Sequence, residues 1–245
     1  MIDGLYIRNP IYGGIGNGTR LNLFAVEEFD WQPGGFNAEY GDAMSAVSNM
    51  HTASGKKQFR YRFKYETSAL GAGFNQYDAL RGFNDYNLGF GGKLPLVGSI
   101  PLVESAYYWV SGQHTDKQSY RVLEFDNIVH TGDLDTDRGN NVTPWDNEKG
   151  LRGFGFDETT DIFAKLTLNM LDNKLRWNYS FWNVAAHRKG FSTRYIYSDI
   201  GQNELFRDTY RHTLDLNHTL SNKTFYTLRI SNFIQDQFIG TRWED

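Results

Sequence analysis

The sequence predicts an all-β protein whose main body is one antiparallel sheet of about seven strands. Three observations carry that prediction. Side chains alternate apolar and polar with period two in run after run, the runs are about 9–12 residues long, and the connections between them alternate long and short.

Composition narrows the class. The 245 residues include 6 Trp, 15 Tyr and 18 Phe, and 40% are hydrophobic, so the chain has ample apolar surface to bury, which argues against disorder. Lys and Arg number 25 against 29 Asp and Glu, a formal charge of −4, which argues against nucleic acid as a partner held by bulk electrostatics. Cysteine is absent, which removes disulfide scaffolds, thiol nucleophiles and Cys-ligated metals. Mean hydropathy is −0.57, and no apolar run reaches the roughly 18 residues of a membrane helix. Strands of a membrane barrel alternate, average out as hydrophilic, and so remain allowed. No secretory signal is visible in the opening MIDGLYIRNP.

Residues 1–55 are rich in Gly and small residues, as in IYGGIGNG (Ile11 to Gly18) and PGGFNAEYGDAMS (Pro33 to Ser45), with a short apolar piece from Leu21 to Val26. Such density marks turns and close backbone approaches. Alternation begins after Lys56. In QFRYRFKYE, Phe59, Tyr61, Phe63 and Tyr65 share one face, and Arg60, Arg62, Lys64 and Glu66 share the other. Leu88, Phe90 and Leu94 then alternate with Asn87, Gly89 and Lys93, and residues 106–113 form a third run. Ile162, Ala164, Leu166, Leu168 and Met170 alternate with Lys165, Thr167 and Asn169. Past Asp172-Asn173, Leu175, Trp177, Tyr179 and Phe181 alternate with Arg176, Asn178 and Ser180. Leu214, Leu216 and Leu220 alternate with Asp215, Asn217 and Thr219, and beyond Ser221-Asn222-Lys223 come Tyr226, Leu228 and Ile230.

Ordinary globular strands have a mode of about 5–6 residues, whereas a tilted strand needs about 9–11 to cross a bilayer. The connections fall near 67–85, 95–104, 115–160, 171–174, 186–210 and 221–223, every second one short. Short turns on one side and long loops on the other are the habit of outer-membrane barrels. The expected fold is therefore a partial transmembrane antiparallel β-barrel over residues 56–245, preceded by a separate domain over residues 1–55.

The segment DGLYIRNP…LNLFAVEEFDWQPGGFNAEYGDAMSAVSNMHTASGKK resembles the C-terminal half of the plug domain of TonB-dependent outer-membrane receptors. The match rests on Asp3-Gly4, on Val26 to Trp31 before Gly34-Gly35, on Ala38-Glu39-Tyr40-Gly41, and on Ser45 to Thr52 before a basic exit. The run Gly34-Gly35-Phe36-Asn37-Ala38-Glu39-Tyr40-Gly41 is most similar to receptors with a carboxypeptidase-regulatory-like N-terminal domain. Two departures bear on plug packing: Val47-Ser48-Asn49-Met50-His51-Thr52 stands where the family carries Val-Asn-Ile-hydrophobic-Thr-Lys, and Ala46 replaces a Gly.

The resemblance implies a fragment of an active importer in the outer membrane of a Gram-negative bacterium. Its partners would be outer-membrane lipid, a small ligand (siderophore, cobalamin, glycan or peptide), and a TonB-type energy-transducing protein engaging an N-terminal box that this sequence lacks. No enzyme activity and no cofactor is expected. Open edges on a sheet of about seven strands argue the same way, since unpaired backbone groups in hydrocarbon cost several kcal/mol each. The rival readings are a small structural or adhesive membrane barrel and a soluble carbohydrate-binding β-sandwich.

Among individual residues, Arg60, Arg62 and Lys64 are the cluster expected to face the lumen, either guiding an anionic ligand or, preferably, holding acidic plug residues such as Glu27, Glu28 or Glu39. Asp133, Asp135 and Asp137 have the one-three-five spacing of a calcium loop, but Arg138 and Pro144 stand where Gly and Glu are required, so a solvated acidic loop is the default. The six His show no paired ligand spacing, and the Gly13 to Gly18 run lacks the strand and GK[ST] of a phosphate loop. No GxSxG elbow accompanies Asp42, Ser45 and His51, so catalysis finds no support.

Overall fold

A computed structural model describes residues 1–5, 21–34, 47–69, 76–95, 100–125, 150–196 and 201–241. The described residues form the strands β1 (Val26–Gln32), β2 (Val47–Thr52), β3 (Arg60–Thr67), β4 (Asn84–Lys93), β5 (Val103–Lys117), β6 (Arg121–Phe125), β7 (Gly150–Phe154), β8 (Phe156–Met170), β9 (Leu175–Lys189), β10 (Glu204–Ser221) and β11 (Thr224–Gly240). A short helix, α1 (Gln76–Arg81), lies between β3 and β4. No described helix is long and apolar enough to cross a membrane.

The main sheet has seven strands in the order β11-β10-β9-β8-β5-β4-β3, all neighbours antiparallel. These are the seven alternating runs of the sequence, in sequence order. Their lengths run from 8 residues in β3 to 18 in β10, a wider range than the alternation marks. Backbone pairing outlasts the apolar side chains: β9 continues through Asn183, Ala185 and His187 to Lys189. The sheet is not closed, and β3 and β11 are its edges. β1 pairs with β2, and β6 with β7, as separate two-stranded sheets. The connection expected as one loop over 115–160 thus contains a hairpin.

Tight turns sit at one end. Leu171, Asp172 and Asn173 all have positive φ (57°, 56° and 60°), which reverses the chain between β8 and β9. The carboxylate of Glu104, at the start of β5, accepts the N–H of Asp172, and that of Asn173 at 2.8 Å, so these two turn donors are satisfied by a neighbouring strand.

Register separates two faces. Across one row lie Phe63, Leu88, Gly112, Ile162, Asn183, Tyr210 and Ile234, and the next rows hold Val110, Ala164, Phe181, then Leu166, Leu214, Ile230. This face is apolar and open, with Phe63 at 66% exposure and Ile230 at 55%. From Thr160 to Met170, the span between the Tyr65–Tyr86 pair and the His218–Tyr226 pair, a strand rises about 33 Å, or about 23 Å across a membrane at 45° tilt. That is close to the roughly 25 Å of a barrel's apolar band.

The opposite face is polar at its margins and covered at its centre. Residues 21–25 and 53 lie on it, forming a core of Ala25, Ala53, Trp109, Phe163, Trp182 and Val184 with Leu21, Phe24 and Phe233 packed around it. Each large buried side chain contributes about 1.5–3 kcal/mol. Gly89 makes room: a Cβ there would stand 3.0 Å from the Trp109 ring and 3.1 Å from Phe24 Cβ.

Candidate functional site: the polar face and the segment docked on it

The N-terminal segment is held by matched polar groups. Asn22, fully buried, donates from Nδ2 to Asp161 Oδ1 at 2.6 Å, and Trp182 Nε1 donates to the other oxygen at 3.2 Å. Trp109 Nε1 donates to the Phe24 carbonyl at 2.8 Å. Lys165 Nζ donates to Thr52 Oγ1 at 2.8 Å and stands 3.6 Å from Asp3 Oδ2. Asp3 in turn accepts from the Thr52 N–H at 2.8 Å and its hydroxyl at 2.6 Å. Ala53 N–H donates to the Ala25 carbonyl at 2.8 Å, tying the end of β2 to the turn before β1. Burial makes each of these contacts matter, because an unmatched buried donor or acceptor costs about 1–3 kcal/mol.

Beyond the docked segment the same face remains polar. Asp85 accepts from Asn87 Nδ2 (2.5 Å), Gln113 Nε2 (2.7 Å) and Thr115 Oγ1 (2.6 Å). Asp157 takes Arg188 Nε at 2.9 Å and the Tyr120 hydroxyl at 2.8 Å. Sequence reading passed over these carboxylates, although parity held the signal: Asp157, Asp161 and Lys165 share one phase of β8, opposite to Ile162, Ala164 and Leu166.

Arg60, Arg62 and Lys64 lie on the face that carries the segment, opposite Gly91, Gly89 and Asn87 of β4. Arg60 Nη2 donates to the Ser54 carbonyl at 3.3 Å, and the Arg62 guanidinium stands 6.0 Å from the Phe24 ring centroid. Both cations also stand over Trp109, at 5.7 and 5.8 Å. Rings and a carbonyl therefore contact these two guanidinium groups among the described residues, while Arg60 also acts electrostatically on Glu27, and Glu39 lies outside the described residues. Glu27 instead pairs with Lys56 at 2.5 Å, and Lys64 pairs with Glu66 of its own strand at 2.9 Å. Partial burial works to raise the Glu27 pKa, but the Lys56 ammonium, the Ser54 N–H and Arg60 outweigh it and hold the carboxyl below its ordinary value.

Of the other residues singled out, Gly34 has a φ of 152° with open space about it. Gly35, Glu39, Tyr40 and Gly41 lie outside the described residues, as do Asp133, Asp135 and Asp137. Among the described residues no three His, Asp or Glu side chains gather as a metal site. The histidines of β10 meet tyrosines on the apolar face, His212 with Tyr179 at 2.8 Å and His218 with Tyr226 at 3.1 Å.

Comparison of the chain with protein-family models, with curated proteins and with solved structures finds no match to any of them.

Proposed function

We propose that this chain is part of a TonB-dependent outer-membrane receptor that takes up a scarce small nutrient by energised transport. The observation that carries this reading is the division of one long-stranded antiparallel sheet into an open apolar face and a polar face contacted by residues within 1–5, 21–25 and 52–55. A soluble sheet would cover its apolar face; a membrane wall leaves it to lipid. Tight turns at the end of β8 and β10, against longer connections at the other end, fit the same topology.

In this reading residues 1–55 contribute the C-terminal half of a plug, and the edges β3 and β11 pair with further strands of a larger barrel. The work of transport falls on the dock: Asn22–Asp161, Phe24–Trp109 and Thr52–Lys165 hold the segment across the wall, and pulling by the energising partner has to break them. Such bonds are modest individually, about 0.5–3 kcal/mol each, so a segment held by a few can be displaced stepwise.

The test is made on the whole protein that carries this chain. It should fractionate with the outer membrane, and its substrate uptake should stop when the energising partner is deleted. Recovery in the soluble fraction, or uptake indifferent to that deletion, would overturn the reading.

A further inference from the structure

At the end of the sheet where the long connections lie, β6, β9, β10 and β11 line a cleft of about 480 Å³. Its floor is apolar and fixed. Phe191 meets Phe154 edge-on at 5.9 Å, Phe154 packs against Phe125 at 5.9 Å, and Leu205 and Ile239 continue the surface. One carboxylate and two guanidinium groups line it: Glu204 is taken by His187 at 2.7 Å and Lys189 at 3.4 Å, and the two guanidinium groups are treated differently. Arg188 is engaged, with Asp157 at 2.9 Å and Thr159 Oγ1 at 2.8 Å. Arg121 lies over the Phe191 ring, 5.7 Å from its centroid, and meets no carboxylate among the described residues. Asn203, on the same rim, likewise forms no side-chain hydrogen bond among them.

A guanidinium held on a ring keeps its N–H fork directed outward, and that fork matches a carboxylate in two parallel bonds. The neighbouring carboxamide supplies a donor and an acceptor for a hydroxyl or amide on the same molecule. The apolar floor asks for a body with a flat hydrophobic side. From this arrangement we infer that the cleft is a binding subsite for an organic carboxylate: the acid group on Arg121, the adjoining polar group on Asn203, and the carbon skeleton over Phe191, Leu205 and Ile239. The inference rests on the receptor reading, because it treats the cleft as open to the outside. The same chemistry is offered by an acidic sugar and by an N-blocked amino acid.

Titration calorimetry on the whole receptor, purified from outer membranes, separates these sources. One arm uses digalacturonate and its methyl ester, the other N-acetylphenylalanine and its amide. At least one acid should bind saturably, with its uncharged derivative weaker by tenfold or more; the arm that responds names the source. Replacing Arg121 by Gln should weaken the acid about ten- to hundredfold, and Arg121→Lys should weaken it less, since Lys keeps the charge but not the fork. Near-equal affinity for acid and uncharged derivative, unchanged affinity in Arg121→Gln, or no saturable binding of either acid up to about 10 mM, would overturn the subsite. Outer-membrane fractionation of the same preparation reads the receptor assignment separately, so the two failures are distinguishable.

Discussion

Trp109 reaches from the middle of β5 to the backbone of Phe24, its indole Nε1 donating to that carbonyl at 2.8 Å across 85 residues of sequence. The indole is 1% exposed and lies among Ala25, Phe163 and Trp182, so one side chain provides both apolar packing and the matched donor. Trp109→Phe keeps most of the packing and strands the carbonyl. The dock should weaken by about 1–3 kcal/mol, seen as faster amide exchange over residues 22–26 in the whole protein. Unchanged protection there would contradict the role given to this bond.

Asn22 and Asp161 form a second tie, 139 residues apart and buried on both sides. Asp161→Asn turns one acceptor into a donor facing the Asn22 or Trp182 N–H. A double-mutant cycle with Asn22→Ala and Asp161→Asn should return a coupling of about 0.5–3 kcal/mol. Additivity within about 0.3 kcal/mol would mean the pair is not an energetic contact.

The Glu27–Lys56 pair carries a pH dependence. The folded carboxyl titrates below its ordinary value, so its contribution is present above the unfolded pKa and is lost as pH falls through the lower, folded pKa. With Lys56 side chain 57% exposed, solvent screening keeps the effect under about 1 kcal/mol, and added salt shrinks it. Chemical-shift titration of Glu27 should give a pKa below that of a model peptide, moving upward in Lys56→Gln. A titration unmoved by that substitution would assign the depression elsewhere.

Phe63, 66% exposed in the apolar row with Leu88 and Ile162, should tolerate hydrophobic exchange and resist charge. If the apolar face meets lipid as proposed, Phe63→Arg should destabilise the protein by about 2–4 kcal/mol in bilayers, measured by reversible unfolding. Single cysteines at Phe63 and Arg62 should differ in reach: the first labels only from the membrane, the second from water. Equal labelling by a water-soluble reagent would put both faces in water.

The seven strands of the main sheet were legible because each carries its own signal, a period-two run such as Ile162 to Met170 that needs no partner to be read. What the runs could not show is where pairing stops. β10 begins at Glu204, ten residues before the leucines of its alternating run, because Arg207, Thr209 and Arg211 carry the ladder on with polar side chains. β1 and β2 escaped because VEEFDWQ and VSNMHT are short and stabilised by each other across an intervening stretch, which no local window contains. The hairpin β6–β7 was hidden in the same way inside a polar connection. At the site, the side of Arg60 and Arg62 followed from alternation. Their ring contacts did not, because Trp109 and Phe24 arrive only through tertiary docking.

The insertion of β6–β7 between neighbours β5 and β8 has a kinetic consequence. Every other pair of neighbours in the main sheet is consecutive among the named strands, whereas Lys117 and Asp157 are brought together around the β6–β7 pair. Loop-closure entropy falls most heavily at that seam. The sheet should therefore assemble as two sub-sheets, β3–β5 and β8–β11, whose zipping is the slow event. The Glu104 clip on Asp172 and Asn173, 68 and 69 residues distant, sits on the seam and forms only as it closes. Glu104→Gln should thus speed unfolding while leaving the early, hairpin-level folding phases untouched.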